Sequence, residues 1–171
     1  MIYRNANIND YNQIVIMKNR VKERVIKEKL PIWLNGYPLD EFIMDDINSD
    51  YGRVIELDNK IVAYATFHPA SIDYDGYIEN IDNYYSYGRV MVDNGYTGLG
   101  IGKLLIANMI SEAKSLNQKG MIIAADDCNT KAVNLYMSFG FKKINEIQFS
   151  YAYLSIFKLD FLEGQNGTTC L

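Results

Sequence analysis

The sequence predicts an α/β (α+β) fold, a mixed central sheet of about seven strands flanked by about four helices. Three observations carry that expectation. Two strongly apolar runs, "YGRVMVD" and "GMIIAAD", read as buried strands on either side of a glycine-rich loop and a helical stripe. Short runs bounded by turn residues supply further strands on either side of that unit. Between them, apolar residues recur at helical spacing, so that each segment has one face to bury.

Taken in order, "IYRNA" opens as a strand, and Asn9 or Asp10 caps a helix that runs to about Lys29. Its buried stripe is Ile14, Met17, Val21 and Val25, which leaves the charges of "KNRVKERVIKEK" on a solvated face. Pro31 breaks the chain, and "PLDEFIMDDI" reads as a short helix. "YGRVIELDNKIVAYATFHP" gives two strands joined by a tight Asp-Asn turn, the second ended by Pro69. Residues 70–86 form a tyrosine-rich, acidic connection long enough to be a functional loop. "YGRVMVD" comes next as a buried central strand, and the helix after the glycine loop turns Ile101, Leu105, Met109, Ala113 and Leu116 inward. "GMIIAAD" is another buried strand. "NTKAVNLYMSFG" is a helix with Ala132, Leu135, Tyr136 and Phe139 inward, and "FKKINEIQ" and "YAYLSIFKLDF" close the sheet. One domain is expected over residues 1–162, with 163–171 as a flexible tail.

Composition narrows the function. The chain has 171 residues, of which 49% are hydrophobic, enough to bury one substantial core. A formal net charge of −4 with scattered basic residues argues against nucleic acid as a partner. Two cysteines, Cys128 and Cys170, and the single His68 make neither a metal cluster nor a disulfide framework, so no metal is expected and reduced thiols are the default. No apolar run has the length of a membrane span. The expectation is a cytoplasmic protein, monomeric or homodimeric, with neither membrane nor nucleic acid as partner.

The loop "NGYTGLGIGKLLI" asks for a ligand. Gly98, Gly100 and Gly102 lack a Cβ and let a ligand approach the main chain, and a helix starting near Gly100 presents unpaired N–H groups that favour an anion, phosphate above all. A tight turn with no ligand is the plain alternative. The P-loop spacing fails, because Thr97 stands five residues before Gly102 and Leu104 comes after Lys103. The dinucleotide fingerprint fits only in part: Gly98 and Gly100 supply its first pair, but Lys103 stands where its third glycine belongs, and Asp126 would have to be its acid.

The segment after the next strand is more specific. In "NTKAVNLYMSFGF", Asn129, Ala132, Tyr136, Gly140 and Phe141 match the NxxAxxxYxxxGF pattern of the GNAT superfamily of N-acetyltransferases, and Gly100 and Gly102 match its [Q/R]xxGx[G/A] pyrophosphate motif. The chain resembles that superfamily over about residues 1–160. One departure is Thr97 at the motif's Gln or Arg position. The resemblance implies the GNAT fold and acetyl-CoA as cosubstrate. It implies pyrophosphate contacts from Thr97, Gly98, Leu99, Gly100, Ile101, Gly102 and Lys103, and a strand before the loop that splays from its neighbour, pairs with the pantetheine arm and puts Met91 and Val92 at the acyl carbonyl. Tyr136 takes the role of general acid to the departing thiolate, which suits a phenol with a reference pKa of about 10. Asn129 has both a donor and an acceptor for pantetheine amides, and an N-cap role is compatible with that.

The general base is open on sequence alone. His68 has the right titration range at the end of a strand; Glu79 and Asp82 in the acidic connection are equal candidates, and a water relay is an alternative. Trp33, Tyr37, Tyr74 and Asp82 flank the expected acceptor side, Trp33 and Tyr37 within "LPIWLNGYP", which resembles a stretch near the substrate cleft of some small GNAT members. The function implied is transfer of an acetyl group to a primary amine of a small molecule or peptide by direct attack in a ternary complex. A CoA-binding sensor without turnover is the alternative, and a small Rossmann-type nucleotide-binding protein a more distant one.

Overall fold

The computed structural model describes residues 1–30, 33, 36–149 and 153–161. Seven strands form one sheet: β1 (Ile2–Asn5), β2 (Gly52–Leu57), β3 (Lys60–Pro69), β4 (Tyr84–Val92), β5 (Gly120–Ala125), β6 (Lys142–Gln148) and β7 (Tyr153–Asp160). Their spatial order is β1-β2-β3-β4-β5-β7-β6. Every neighbouring pair is antiparallel except β4 and β5, which are parallel and therefore need a crossover. The helices are α1 (Tyr11–Lys27), α2 (Asp40–Asn48), the one-turn α3 (Ser71–Tyr74), α4 (Ile101–Ser115) and α5 (Thr130–Ser138). The expected mixed sheet is present, and α3 is the fifth helix, set inside the connection read from sequence as a loop.

Alternation in the strands sorts the core into two faces. Ile55, Ala63, Ala65, Phe67, Tyr87, Met121, Ile123 and Phe157 pack under α4 and α5, against Ile101, Leu105, Met109 and Tyr136. Val54, Ile61, Tyr64 and Met91 pack on the opposite face against α1 and α2, where Ile14, Met17, Val21 and Val25 form the expected stripe. Beyond them on that face, the 70–83 connection seats Ala70, Tyr74 and Ile81 on Ile122 and Ile156. Each fully buried aliphatic side chain contributes about 1.5–3 kcal/mol, so these clusters hold the sheet between its layers.

Several local expectations are met or corrected. Asp58 and Asn59, at φ 51° and 60°, make the tight turn between β2 and β3, a conformation these residue types tolerate. Strand β4 begins at Tyr84, three residues before the apolar run that predicted it, because Tyr84 and Tyr85 already pair with β5. Leu116 is 45% exposed rather than inward, since α4 ends at Ser115 and the C-cap residue leaves the helical stripe. The C-terminal stretch 163–171, expected to be a flexible tail, lies outside the described residues, as do most of residues 31–35 and the start of the last predicted strand.

Candidate active site

Strands β4 and β5 stay together for only three residue pairs, Tyr84 with Gly120, Tyr85 with Met121 and Ser86 with Ile122. Beyond them β4 runs on to Val92 and β5 to Ala125, each held on its outer side, by β3 and β7. The facing edges therefore diverge, and their N–H and C=O groups have no strand partner across the gap. A bulge sharpens the divergence: Tyr64 pairs with Met91 and Thr66 with Gly88, so Arg89 and Val90 share the place opposite Ala65, and Arg89 takes φ 48°. The Met91 side chain is 1% exposed in the core under α1, which leaves only its backbone to the fork.

The glycine loop closes the mouth of this fork. Asp93 caps the turn after β4 by accepting from the Asn94 N–H at 2.8 Å, and the Arg20 guanidinium grips its carboxylate at 3.0 and 2.8 Å. Burial opposes ionisation of Asp93, but Arg20 holds its carboxyl below the usual range. Asp93 is thus a turn residue. Gly98 and Gly100 both take φ +78°, and a Cβ on either would meet nothing within 4 Å. Gly100 is the N-cap of α4, so the first N–H groups of Ile101, Gly102 and Lys103 lack intrahelical acceptors. Gly102 sits 3.6 Å from Val92 and 3.8 Å from Leu135, measured from the Cβ it lacks, which sets the start of α4 between the end of β4 and α5. The Thr97 hydroxyl donates to Asn94 O at 3.2 Å and is used inside the loop, while Leu99 is 68% exposed beside it.

Helix α5 supplies the other wall. The Asn129 side chain accepts from the Ala132 N–H at 3.4 Å and caps the helix, the compatible role expected of it. Tyr136 is buried, edge-on to Tyr87 at 5.6 Å and to Phe157 at 6.5 Å. Burial alone raises its pKa, so the phenol remains protonated, and no described residue hydrogen-bonds its hydroxyl.

On the opposite face of β3 and β4 lies a second polar cluster, around Asp46. Arg89 grips its carboxylate with Nε at 2.9 Å and Nη2 at 2.6 Å, the Tyr64 hydroxyl donates to it at 2.6 Å, and Thr66 Oγ1 lies 3.4 Å away. Arg89 Nη1 donates to the Tyr37 hydroxyl at 3.2 Å, and the Tyr37 ring meets Phe42 at 6.0 Å. Asp46 and Arg89 escaped the sequence reading. The available signals were a carboxylate on the buried stripe of α2 beside Ile43, and an arginine inside an apolar strand.

The acceptor-side candidates divide. His68 is buried beside Ser86, the last β4 residue before the fork; its Nδ1 lies 3.0 Å from Pro69 O and its Nε2 3.5 Å from Asp73 Oδ2. Trp33 is half-buried against the α1–α2 core. Tyr74, expected on the acceptor side, is 3% exposed because it anchors the 70–83 connection to the sheet, which leaves almost none of it for an acceptor. Glu79 and Asp82 are exposed on that connection and make no ion pair with a described residue.

Among the described residues, no helix is long and apolar enough to cross a membrane, and no cluster of three or more metal-ligating side chains forms. The chain is similar to an acetyltransferase of the GNAT family from Streptococcus agalactiae, with a TM-score of 0.79 at 20% identity over 95% of this chain and 96% of that one. It is also similar to a protein from Salmonella typhimurium solved with its cofactor acetyl-CoA, with a TM-score of 0.72 at 19% identity and 99% coverage of both chains. An uncharacterized N-acetyltransferase from Dictyostelium discoideum is 40% identical over 53 residues; this match spans 31% of the chain but only 24% of that relative's length. The sequence model of the Acetyltransferase (GNAT) family matches residues 21–141, the stretch that holds the fork, the glycine loop and Tyr136. The chain therefore belongs to the GNAT family of acetyltransferases.

Proposed function

We propose that the protein transfers the acetyl group of acetyl-CoA to a primary amine of a small molecule or peptide, by direct attack in a ternary complex. The observation that carries this reading is the fork between β4 and β5, with unpaired backbone on both edges, the N-terminus of α4 at its mouth and a protonated Tyr136 on its wall. The residues fit the donor. Free N–H groups at Ile101 to Lys103 and the open space over Gly98 and Gly100 suit a pyrophosphate, and the bare edge of β4 beyond Ser86 suits the amides of a pantetheine arm. When bound, acetyl-CoA supplies an acyl group activated as a thioester.

The chain's own groups then have distinct tasks. The Val92 and Met91 backbone orients the arm, and Asn129 offers an amide at the entrance. Tyr136 gives its proton to the sulfur as the C–S bond breaks. The base falls to His68 or Glu79: His68 is buried with Nδ1 3.0 Å from Pro69 O and Nε2 3.5 Å from Asp73 Oδ2, whereas Glu79 is exposed on the 70–83 connection. A panel of polyamines, aminoglycosides, amino acids and peptide N-termini is expected to show thiol release from acetyl-CoA with at least one amine class. Tight acetyl-CoA binding with no release across the panel would instead favour a CoA-binding sensor.

The loop has its own test. Gly100→Val adds a branched side chain at φ +78°, pointing into the space left for the phosphates. The backbone cost is roughly 1–2 kcal/mol, small enough for the fold to survive. Titration calorimetry on the folded variant should show acetyl-CoA binding reduced severely; affinity equal to the parent's would remove the pyrophosphate from this loop.

A further inference from the structure

The bulge in β4 is held by a side chain from another layer. Gly88 pairs with Thr66 and Met91 with Tyr64, so Arg89 and Val90 together stand opposite the single residue Ala65. Arg89 is the first of the two and takes φ 48°, a left-handed conformation that glycine usually supplies at such a position. For a residue with a Cβ this conformation is strained, and strain of this kind persists only where the surroundings impose it.

The surroundings here converge on one carboxylate. Asp46, on α2, is 4% exposed. It accepts from Arg89 Nε at 2.9 Å and Nη2 at 2.6 Å and from the Tyr64 hydroxyl at 2.6 Å, and Thr66 Oγ1 lies 3.4 Å away. These partners are the bulge residue itself and the two β3 residues that pair with its flanks, Thr66 opposite Gly88 and Tyr64 opposite Met91. One side chain thus grips the bulge from both strands and from both ends. The Arg89 guanidinium is fixed on its outer side as well, by the Tyr37 hydroxyl at 3.2 Å and by the Phe42 ring, whose centroid lies 5.9 Å away. On the other face of β4 the hold is by packing: Tyr87 meets Tyr136 edge-on at 5.6 Å, and its hydroxyl has no hydrogen-bond partner among the described residues.

The place of the bulge gives this grip a consequence for the donor. Arg89 and Val90 lie in the part of β4 that has left β5, between Ser86, the last residue paired across the fork, and Met91. A strand repeats every two residues, so one residue fewer ahead of Met91 would turn its side chain out of the α1 core and reverse which of its peptide groups point across the gap. We propose that Asp46 is a positioning residue for acetyl-CoA: by clamping Arg89 in its left-handed conformation it fixes the bulge, and so aims the bare β4 edge at the pantetheine arm. The inference rests on the proposed use of the fork by the donor. Asp46 itself stays buried under α2 and acts through Arg89.

The test compares two double variants with the parent. Asp46→Leu with Arg89→Met removes both charges together and leaves a residue with a Cβ at the strained φ, with no clamp upon it. Asp46→Leu with Arg89→Gly removes the same charges but accepts that φ without strain. In calorimetric titrations the variant with Arg89→Met should bind acetyl-CoA roughly 5- to 30-fold more weakly than the parent, the factor that corresponds to the strain of a non-glycine residue at this φ. The variant with Arg89→Gly should bind it within about three-fold of the parent. Phosphoadenosine diphosphate, the nucleotide half of the donor, needs the glycine loop and not the strand edge, so all three proteins should bind it alike. Equal affinity for acetyl-CoA in all three overturns the proposal. So does an equal loss in both variants, which would assign the effect to the Arg89 side chain and not to the bulge, and so does a matching loss of the nucleotide half, which would mark general damage. Each of these results leaves the transferase reading in place, whereas a parent that does not bind acetyl-CoA overturns that reading itself. Should the variant with Arg89→Met fail to fold, Asp46→Asn keeps the shape but offers one acceptor oxygen in place of two, and is compared with and without Arg89→Gly in the same titrations.

Discussion

Under the proposed function, Tyr136→Phe is expected to lower kcat by about 10²- to 10⁴-fold, the usual effect of removing a positioned proton donor, with little change in acetyl-CoA affinity. The asymmetry comes from timing: charge appears on sulfur only as the thioester breaks, so the hydroxyl acts in the transition state and not in the binding of the donor. Phe keeps the ring contacts with Tyr87, Phe141 and Phe157, and the hydroxyl it removes has no partner among the described residues. Stability should therefore change little. A tyrosine that served only as core would give the reverse, a lower Tm with near-normal turnover. Both quantities need to come from one preparation, with a single-turnover rate beside kcat in case product release limits the steady state.

Asp46→Ala is the change expected to damage the fold most. It strips the Arg89 guanidinium of both its carboxylate contacts and leaves the Tyr64 hydroxyl, itself fully buried, without its acceptor. Breaking a buried pair from one side costs about 3–5 kcal/mol, which for a chain of this length lowers Tm by roughly 6–20 °C. The reason lies with the partner: an uncompensated cation on β4 is worse than no cation. Asp46→Leu combined with Arg89→Met should therefore be much more stable than Asp46→Ala alone, measured by thermal or denaturant unfolding. A single variant within about 1 kcal/mol of the parent would show that water reaches the cluster and replaces the lost contacts.

Those two residues also mark where the sequence stopped being readable. Periodicity within one helix is local, so Ile14, Met17, Val21 and Val25 were identified as a buried stripe, and the Asp58–Asn59 turn could be read from the conformations those residue types tolerate. Asp46 and Arg89 are 43 residues apart and meet only once the sheet has formed, so neither could be understood alone. The fork was legible only through resemblance, because strand divergence is a matter of register and no residue type announces it. Tyr136 was readable for a similar reason: its spacing from Asn129 and Gly140 singled it out, whereas the orphaned hydroxyl of Tyr87 is a fact about neighbours. Tyr74 misled because aromatic residues in an acidic connection look alike whether they face solvent or, as this one does, pin the connection to the sheet.

Exposed strand edges are adhesive, and most sheets hide theirs at the periphery with charges, bulges or a covering helix. In this fold two such edges face each other inside the molecule, β4 beyond Ser86 and β5 beyond Ile122, spread too far to zip together. A slot of that kind reads its occupant as a sheet reads a strand, by the spacing of amides along an extended chain, and is indifferent to what hangs from the end. Under the proposed function it recognises the arm and is blind to the cargo. Discrimination between an acetyl group and a longer acyl chain then falls to the closed end of the slot, where the strands meet and Tyr87, Tyr136, Phe141 and Phe157 fill the space with rings. The size of the group transferred is in that case set by aromatic packing at the root of the fork.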